Sequence, residues 1–117
     1  MELLKQILPA LENTNLKDIK IYDTTSITPL FDYVINATAT SSRQLMAIVN
    51  NIKKESVERG FEVRNVEGAR GEIWVLVDLN SVLVNVFLGE ERERYALDRL
   101  WNTLPQVDIE ELKGDTK

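Results

Sequence analysis

The sequence predicts a single α/β domain: a mixed sheet of about five strands flanked by helices. Three observations carry that reading. Apolar residues recur at helical spacing in some stretches and alternate at strand spacing in others. The two patterns follow one another as helix, two strands, helix, three strands, helix, an order that places helices against a sheet. The 117 residues contain 44% apolar and 28% charged side chains, with no repeat or Gly/Ser-rich linker, so one core is expected. Residues 1–107 are read as the domain and residues 108–117 as an acidic flexible tail.

Leu3, Leu4, Ile7, Leu8 and Leu11 mark an amphipathic first helix, and Pro9 inside it predicts a kink or a division into two pieces. Ile19 and Ile21 alternate with polar neighbours in a short strand ending near Asp23. Residues 24–29 are rich in turn formers, and residues 31–37 form a second strand centred on Tyr33, Val34 and Ile35. Ser41, followed three residues later by Gln44, is a capping-box start for a helix that buries Leu45, Ile48, Val49 and Ile52. Gly60 is placed to end it in a left-handed cap.

Phe61, Val63 and Val66 mark a third strand, followed by a loop over residues 67–71. Residues 73–77 are apolar throughout, as in an interior strand. Residues 78–81 supply a turn and residues 82–88 a fifth strand, so the last two strands are expected to pair as an antiparallel hairpin. After Gly89 a helix is predicted with Leu97, Leu100, Trp101 and Leu104 on one stripe, stopped by Pro105.

Chemistry is constrained mainly by what is missing. The chain has no histidine and no cysteine, which removes the commonest general base, the usual zinc ligands and any disulfide. No phosphate-cradling glycine motif occurs. No cofactor and no metal are expected. The net charge of −5 offers no dense basic stripe for nucleic-acid phosphates, so a basic protein is the better-matched partner and sequence-specific nucleic-acid binding is not expected. Residues 1–10 lack the long apolar core of a signal peptide, and no run approaches the ~20 residues of a membrane span, which suits a cytoplasmic protein without membrane contact.

Several residues have two readings. Asp78, at the end of a central strand, suits either a magnesium ligand or a turn aspartate bonding to its own backbone. The run Glu90, Glu91, Arg92, Glu93, Arg94 reads as a solvated first helical turn or as part of a partner surface. Trp74 and Trp101 are core residues or interface anchors. Arg43 is a surface arginine or an anion contact.

Read as ordered strings, the residues say more. Asp18-Ile19, Phe31-Asp32-Tyr33-Val34-Ile35 and Thr40-Ser41-Ser42-Arg43-Gln44 are followed by Glu67-Gly68 and Trp74-Val75-Leu76-Val77-Asp78. Val82 to Phe87, Arg94-Tyr95 and Leu97-Asp98-Arg99-Leu100-Trp101 complete the set. Together they resemble the Iojap family of ribosomal silencing factors over residues 16–101. The resemblance implies a nucleotidyltransferase-like fold and a non-enzymatic function. Such a protein binds the large ribosomal subunit through ribosomal protein uL14, sterically blocks joining of the small subunit and represses translation under nutrient limitation. It also implies a homodimer in the free protein.

The chain departs from the pattern at Asn85, where the family has histidine, and over residues 37–40, where it lacks the family's glycine. On this reading Trp74, Asp78, Asn85, Arg94 and Tyr95 lie on or beside the docking surface, with Trp74 as apolar anchor and a polar, acidic rim. The alternative is a magnesium-dependent nucleotidyltransferase-like enzyme or nucleotide-binding protein built around Asp78.

Overall fold

The computed structural model describes residues 2–68, 73–95 and 97–114; positions 69–71 of the expected loop lie outside them. The first helix, α1 (Glu2–Asn13), is continuous, with Pro9 inside it. Proline removes one backbone hydrogen bond, whereas Leu4, Ile7, Leu8 and Leu11 are all buried along one stripe, and that burial keeps the helix whole.

β1 (Lys17–Asp23) and β2 (Tyr33–Ala39) pair antiparallel, with a register irregularity between Lys17 and Lys20. α2 (Ser42–Arg59) starts and stops where its caps dictate. The Ser41 hydroxyl accepts from the Gln44 backbone N–H, and the Gln44 side chain reaches back to the Thr40 backbone N–H at 2.7 Å, one residue before its usual capping-box target. Gly60 adopts φ +79 and donates its N–H to the Ser56 carbonyl.

β3 (Asn65–Glu67), β4 (Trp74–Asp78) and β5 (Val82–Leu88) follow. β4 and β5 form the expected antiparallel hairpin, whose turn holds Asn80 at φ +77. Among the described residues the sheet has six strands in the order β3-β4-β5-β2-β1-β6, not five, with β2 and β5 its parallel neighbours. The additional strand, β6 (Gln106–Val107), consists of two residues paired to Tyr22 and Ile21 of β1. So short an edge strand is made by tertiary pairing and has no periodicity of its own.

The expected last helix is replaced by two short ones, α3 (Glu91–Tyr95) and α4 (Leu97–Leu100), followed by turns over residues 101–104. The stripe read there is not a buried face: Leu100 is 68% exposed. In the segment read as a flexible tail, α5 (Ile109–Gly114) forms a helix whose Leu112 is 1% exposed within the main core. Lys113 pairs with Glu12 of α1 at 2.6 Å.

The two faces of the sheet differ in chemistry. On one, Ile21, Ile35, Ala37, Val75, Val77, Val84 and Val86 pack with Leu4, Ile7 and Leu11 of α1 and Leu45, Ile48 and Ile52 of α2 in a single apolar cluster. Side chains at the intervening strand positions project to the opposite face. That face carries Lys20, Tyr22, Val34, Asn36, Thr38, Trp74, Leu76, Asp78, Leu83, Asn85 and Phe87, and α3, α4 and the turn after them bear on it through Arg92, Asp98 and Trp101.

Candidate functional site

Three of the five residues singled out in the sequence converge on this second face. Trp74, Leu76 and Leu83 are half-buried there, and Asp78 lies at the far end of β4 opposite Leu83. The Trp74 ring stacks on Phe87, the residue opposite it in the ladder, with centroids 5.1 Å apart and planes 25° apart. Beside it, Glu67, Gly68, Trp74 and Leu76 line a shallow cleft of about 300 Å³. Arg94 and Tyr95 fall in α3, and their side chains lie outside the described residues.

Asn85 is not a surface rim residue. It is 1% exposed and sits beside Asn36, its register partner in β2, itself fully buried. Two buried amides would each cost several kcal/mol unless satisfied, and they are satisfied in series. The Trp74 indole N–H donates to Asn85 Oδ1 at 3.1 Å. The Asn85 amide donates to Asn36 Oδ1 at 3.2 Å, and the Asn36 amide donates to Asp98 Oδ1 at 3.3 Å. An indole can only donate and an ionised carboxylate can only accept, so the two ends fix both amide orientations. The direction of every bond in the series follows from its termini.

Asp98, at the start of α4, is the hub. It also accepts from the Tyr22 hydroxyl at 2.5 Å, from Arg92 Nε at 2.7 Å and from the Arg92 terminal nitrogen Nη2 at 3.0 Å. Burial alone would raise its pKa. The bonds from Arg92, Tyr22 and Asn36 and the Arg92 charge overcome that and bring it to about 2. The Tyr22 hydroxyl moves the other way, far above its ordinary range, through burial first and then the bond to the Asp98 anion.

Arg92 is buried, alone among the charged residues of the 90–93 run, and its remaining donors reach Thr38 Oγ1 at 3.2 Å and the Asp18 carbonyl. Asp18 stands at φ +52 within the β1 irregularity. Trp101 closes the cluster, its ring 6.0 Å from that of Tyr22.

Sequence reasoning missed Asn36, Arg92 and Asp98 as members of the site. Asn36 and Asn85 did leave a signal: each is the lone amide in the middle of a largely apolar strand. Arg92 was hidden in a charged run whose other members Glu90 and Glu93 are exposed.

The Asp78 carboxylate accepts the Asn80 backbone N–H at 2.8 Å, which is the turn-forming geometry of the hairpin. Among the described residues no group of three or more histidine, cysteine, aspartate or glutamate side chains is arranged to hold a metal ion. No described helix is long and apolar enough to cross a membrane. The arrangement orients: it holds an aromatic ring at a half-open sheet face.

Fold and face together define a small mixed-sheet domain with one apolar face covered by helices and one partly open face organised around a tryptophan. Residues 1–117 match the family model "Ribosomal silencing factor during starvation", and the chain belongs to that family. It is 35% identical to the "Ribosomal silencing factor RsfS" of Bacillus subtilis over 108 residues, 92% of each protein. Its counterpart in Chromobacterium violaceum is 38% identical over 86% of this chain and 82% of that one.

A more distant relative is the mouse "Mitochondrial assembly of ribosomal large subunit protein 1", 27% identical over 96% of this chain and 53% of its own length. Two crystal structures share the fold. One, of a protein from Chromobacterium violaceum, has a TM-score of 0.81 at 38% identity and covers 86% of this chain and 84% of that one. The other, from Bacillus halodurans, has a TM-score of 0.80 at 32% identity and covers 92% and 97%. These names describe regulators associated with the ribosome rather than enzymes.

Proposed function

We propose that this chain represses translation by binding the large ribosomal subunit at ribosomal protein uL14 and standing where the small subunit would join, when nutrients are scarce. The observation that carries this reading is the half-open sheet face with Trp74 fixed in it, continued along the sheet by Leu76 and Leu83 and bordered by the acids Glu67 and Asp78. An apolar centre with an acidic border matches a basic partner surface, and the net charge of −5 acts in the same direction.

Family membership and the names of the relatives support a ribosomal partner. The docking set is Trp74 and Asp78, with Arg94 and Tyr95 contributed by the adjacent α3 and Asn85 acting from beneath. The action is steric and takes place in the cytoplasm. The free protein shields the same face by forming a homodimer, so self-association and subunit binding compete.

Co-sedimentation with purified large subunits tests the reading. Trp74→Ala is expected to weaken binding by about 2 kcal/mol, roughly thirtyfold in Kd, as for a central aromatic anchor. Undiminished binding by this variant, with its fold intact, would remove the face from the contact.

A further inference from the structure

The buried amides beneath Trp74 have a role beyond filling the sheet. The geometry points to Asn85 and Asn36 as positioning residues that set the Trp74 indole for docking by tying its N–H, through two amides, to the Asp98 carboxylate on α4. The inference rests on the docking reading above and deepens it: Trp74 is oriented through Asn85 by Asn36 and Asp98, themselves 62 residues apart in sequence, and not by its neighbours in β4 alone.

Three features of the series support this. First, its polarity is unbroken, running from a donor-only indole to an acceptor-only carboxylate, so neither amide can reverse without leaving two buried groups unsatisfied. Second, aligned hydrogen bonds polarise one another, and here they terminate on a full negative charge, which strengthens the hold on the indole N–H. Third, that charge is itself held by Arg92, whose guanidinium is anchored to β1 and β2 through the Asp18 carbonyl and Thr38. The series therefore spans β4, β5, β2 and α4, and α3 supplies the counter-charge. With its N–H engaged beneath, the indole meets a partner through its ring carbons rather than as a hydrogen-bond donor.

The test reads the indole directly. In ¹⁵N–¹H spectra of the free protein, the Trp74 indole resonance is assigned by its loss in Trp74→Phe, and hydrogen exchange at that position is followed. Asn85→Leu, which keeps side-chain bulk, is expected to speed indole exchange about tenfold and to shift the resonance. Asp98→Asn is expected to move the same resonance in the same direction by less. Glu93→Gln, an equal loss of charge on the cleft beside Asp98 but outside the series, is expected to leave it in place. Thermal melts establish that each variant is folded.

In the sedimentation assay Asn85→Leu is expected to weaken subunit binding about tenfold. If Asn85→Leu and Asp98→Asn leave the indole resonance and its exchange as in the wild type, the proposal is overturned. If the indole responds and Trp74→Ala weakens binding, but Asn85→Leu binds as the wild type does, the positioning role in docking is likewise overturned. If the indole responds as expected but even Trp74→Ala binds normally, the docking reading fails while the link between Asp98 and Trp74 stands.

Discussion

Replacing Asp98 by asparagine removes one negative charge while keeping the size of the side chain, and the structure gives the expected consequence a magnitude and a pH window. In the folded protein the carboxyl titrates at about 2, against an ordinary value of 3.8. A folded-state pKa below the unfolded one means that ionisation favours folding. The contribution is complete above about pH 4 and is lost as pH falls through about 2. The interval corresponds to about 2 kcal/mol. Because the Asp98 side chain is 29% exposed, solvent screening reduces this to about 1–2 kcal/mol.

At neutral pH the variant loses more than that. Arg92, whose side chain is only 9% exposed, is left without its counter-charge, so a total cost of about 3 kcal/mol is expected. Urea unfolding of wild type and Asp98→Asn from neutral pH down to about pH 2 measures both quantities. Contributions common to the two proteins cancel in the difference. The stability gap should stay constant down to about pH 4 and then narrow by about 1–2 kcal/mol. A gap of the same size at every pH would show that the Asp98 charge is not what Arg92, Tyr22 and Asn36 hold.

Two further predictions concern stability alone. Leu112→Ala removes the apolar anchor of α5, and truncating a fully buried leucine ordinarily costs about 2–5 kcal/mol. Because a six-residue helix can detach instead, the loss should saturate near the lower end, about 2 kcal/mol, with hydrogen exchange of the α5 amides rising more than that of α2. Gly60→Ala meets no neighbouring atom within 4 Å but must hold φ +79, so a loss of about 1 kcal/mol in a thermal or urea melt is expected from backbone strain without a packing defect.

The elements legible in the sequence were those whose ends carry their own chemistry. Ser41 with Gln44 and Gly60 delimit α2, and Asp78 with Asn80 makes the β4–β5 turn; each acts within a few residues. β3 was expected from Phe61 to Val66 and is confined to Asn65–Glu67, because an edge strand is defined by what β4 offers to pair with. β6 and α5 escaped for the same kind of reason: two residues against β1, and one leucine reaching a core built elsewhere.

Of the site, Trp74 and Asp78 were legible as a strand-end tryptophan and a turn acid. Asn85 was noticed for the wrong property, its departure from a family histidine, when what matters is its register with Asn36. Asp98 and Arg92 stand only six positions apart, but their place in the site is set by partners 54 to 76 positions away, which spacing does not show.

The two faces of this sheet resolve a conflict that a small domain meets when it must both fold and bind. An apolar sheet face is best stabilised by covering it, as α1 and α2 do. A face kept partly open for a partner cannot be made of the same residues, because a contiguous exposed apolar surface also associates without discrimination. Here the open face is divided. Trp74, Leu76 and Leu83 supply the apolar area, with Phe87 buried against the Trp74 ring, while Asn85, Asn36, Tyr22, Asp98 and Arg92 form a polar seam across the strands, with no buried side-chain nitrogen or oxygen left unsatisfied among the described residues. Such a seam contributes little net stability compared with packed aliphatics. What it adds is direction: apolar contacts alone leave a ring free to slide between rotamers, whereas a bonded donor has one orientation. The polar residues are thus where the fold gives up stabilisation for definition, and the series they form ends at the Trp74 indole N–H, the group that the proposed docking requires to be fixed.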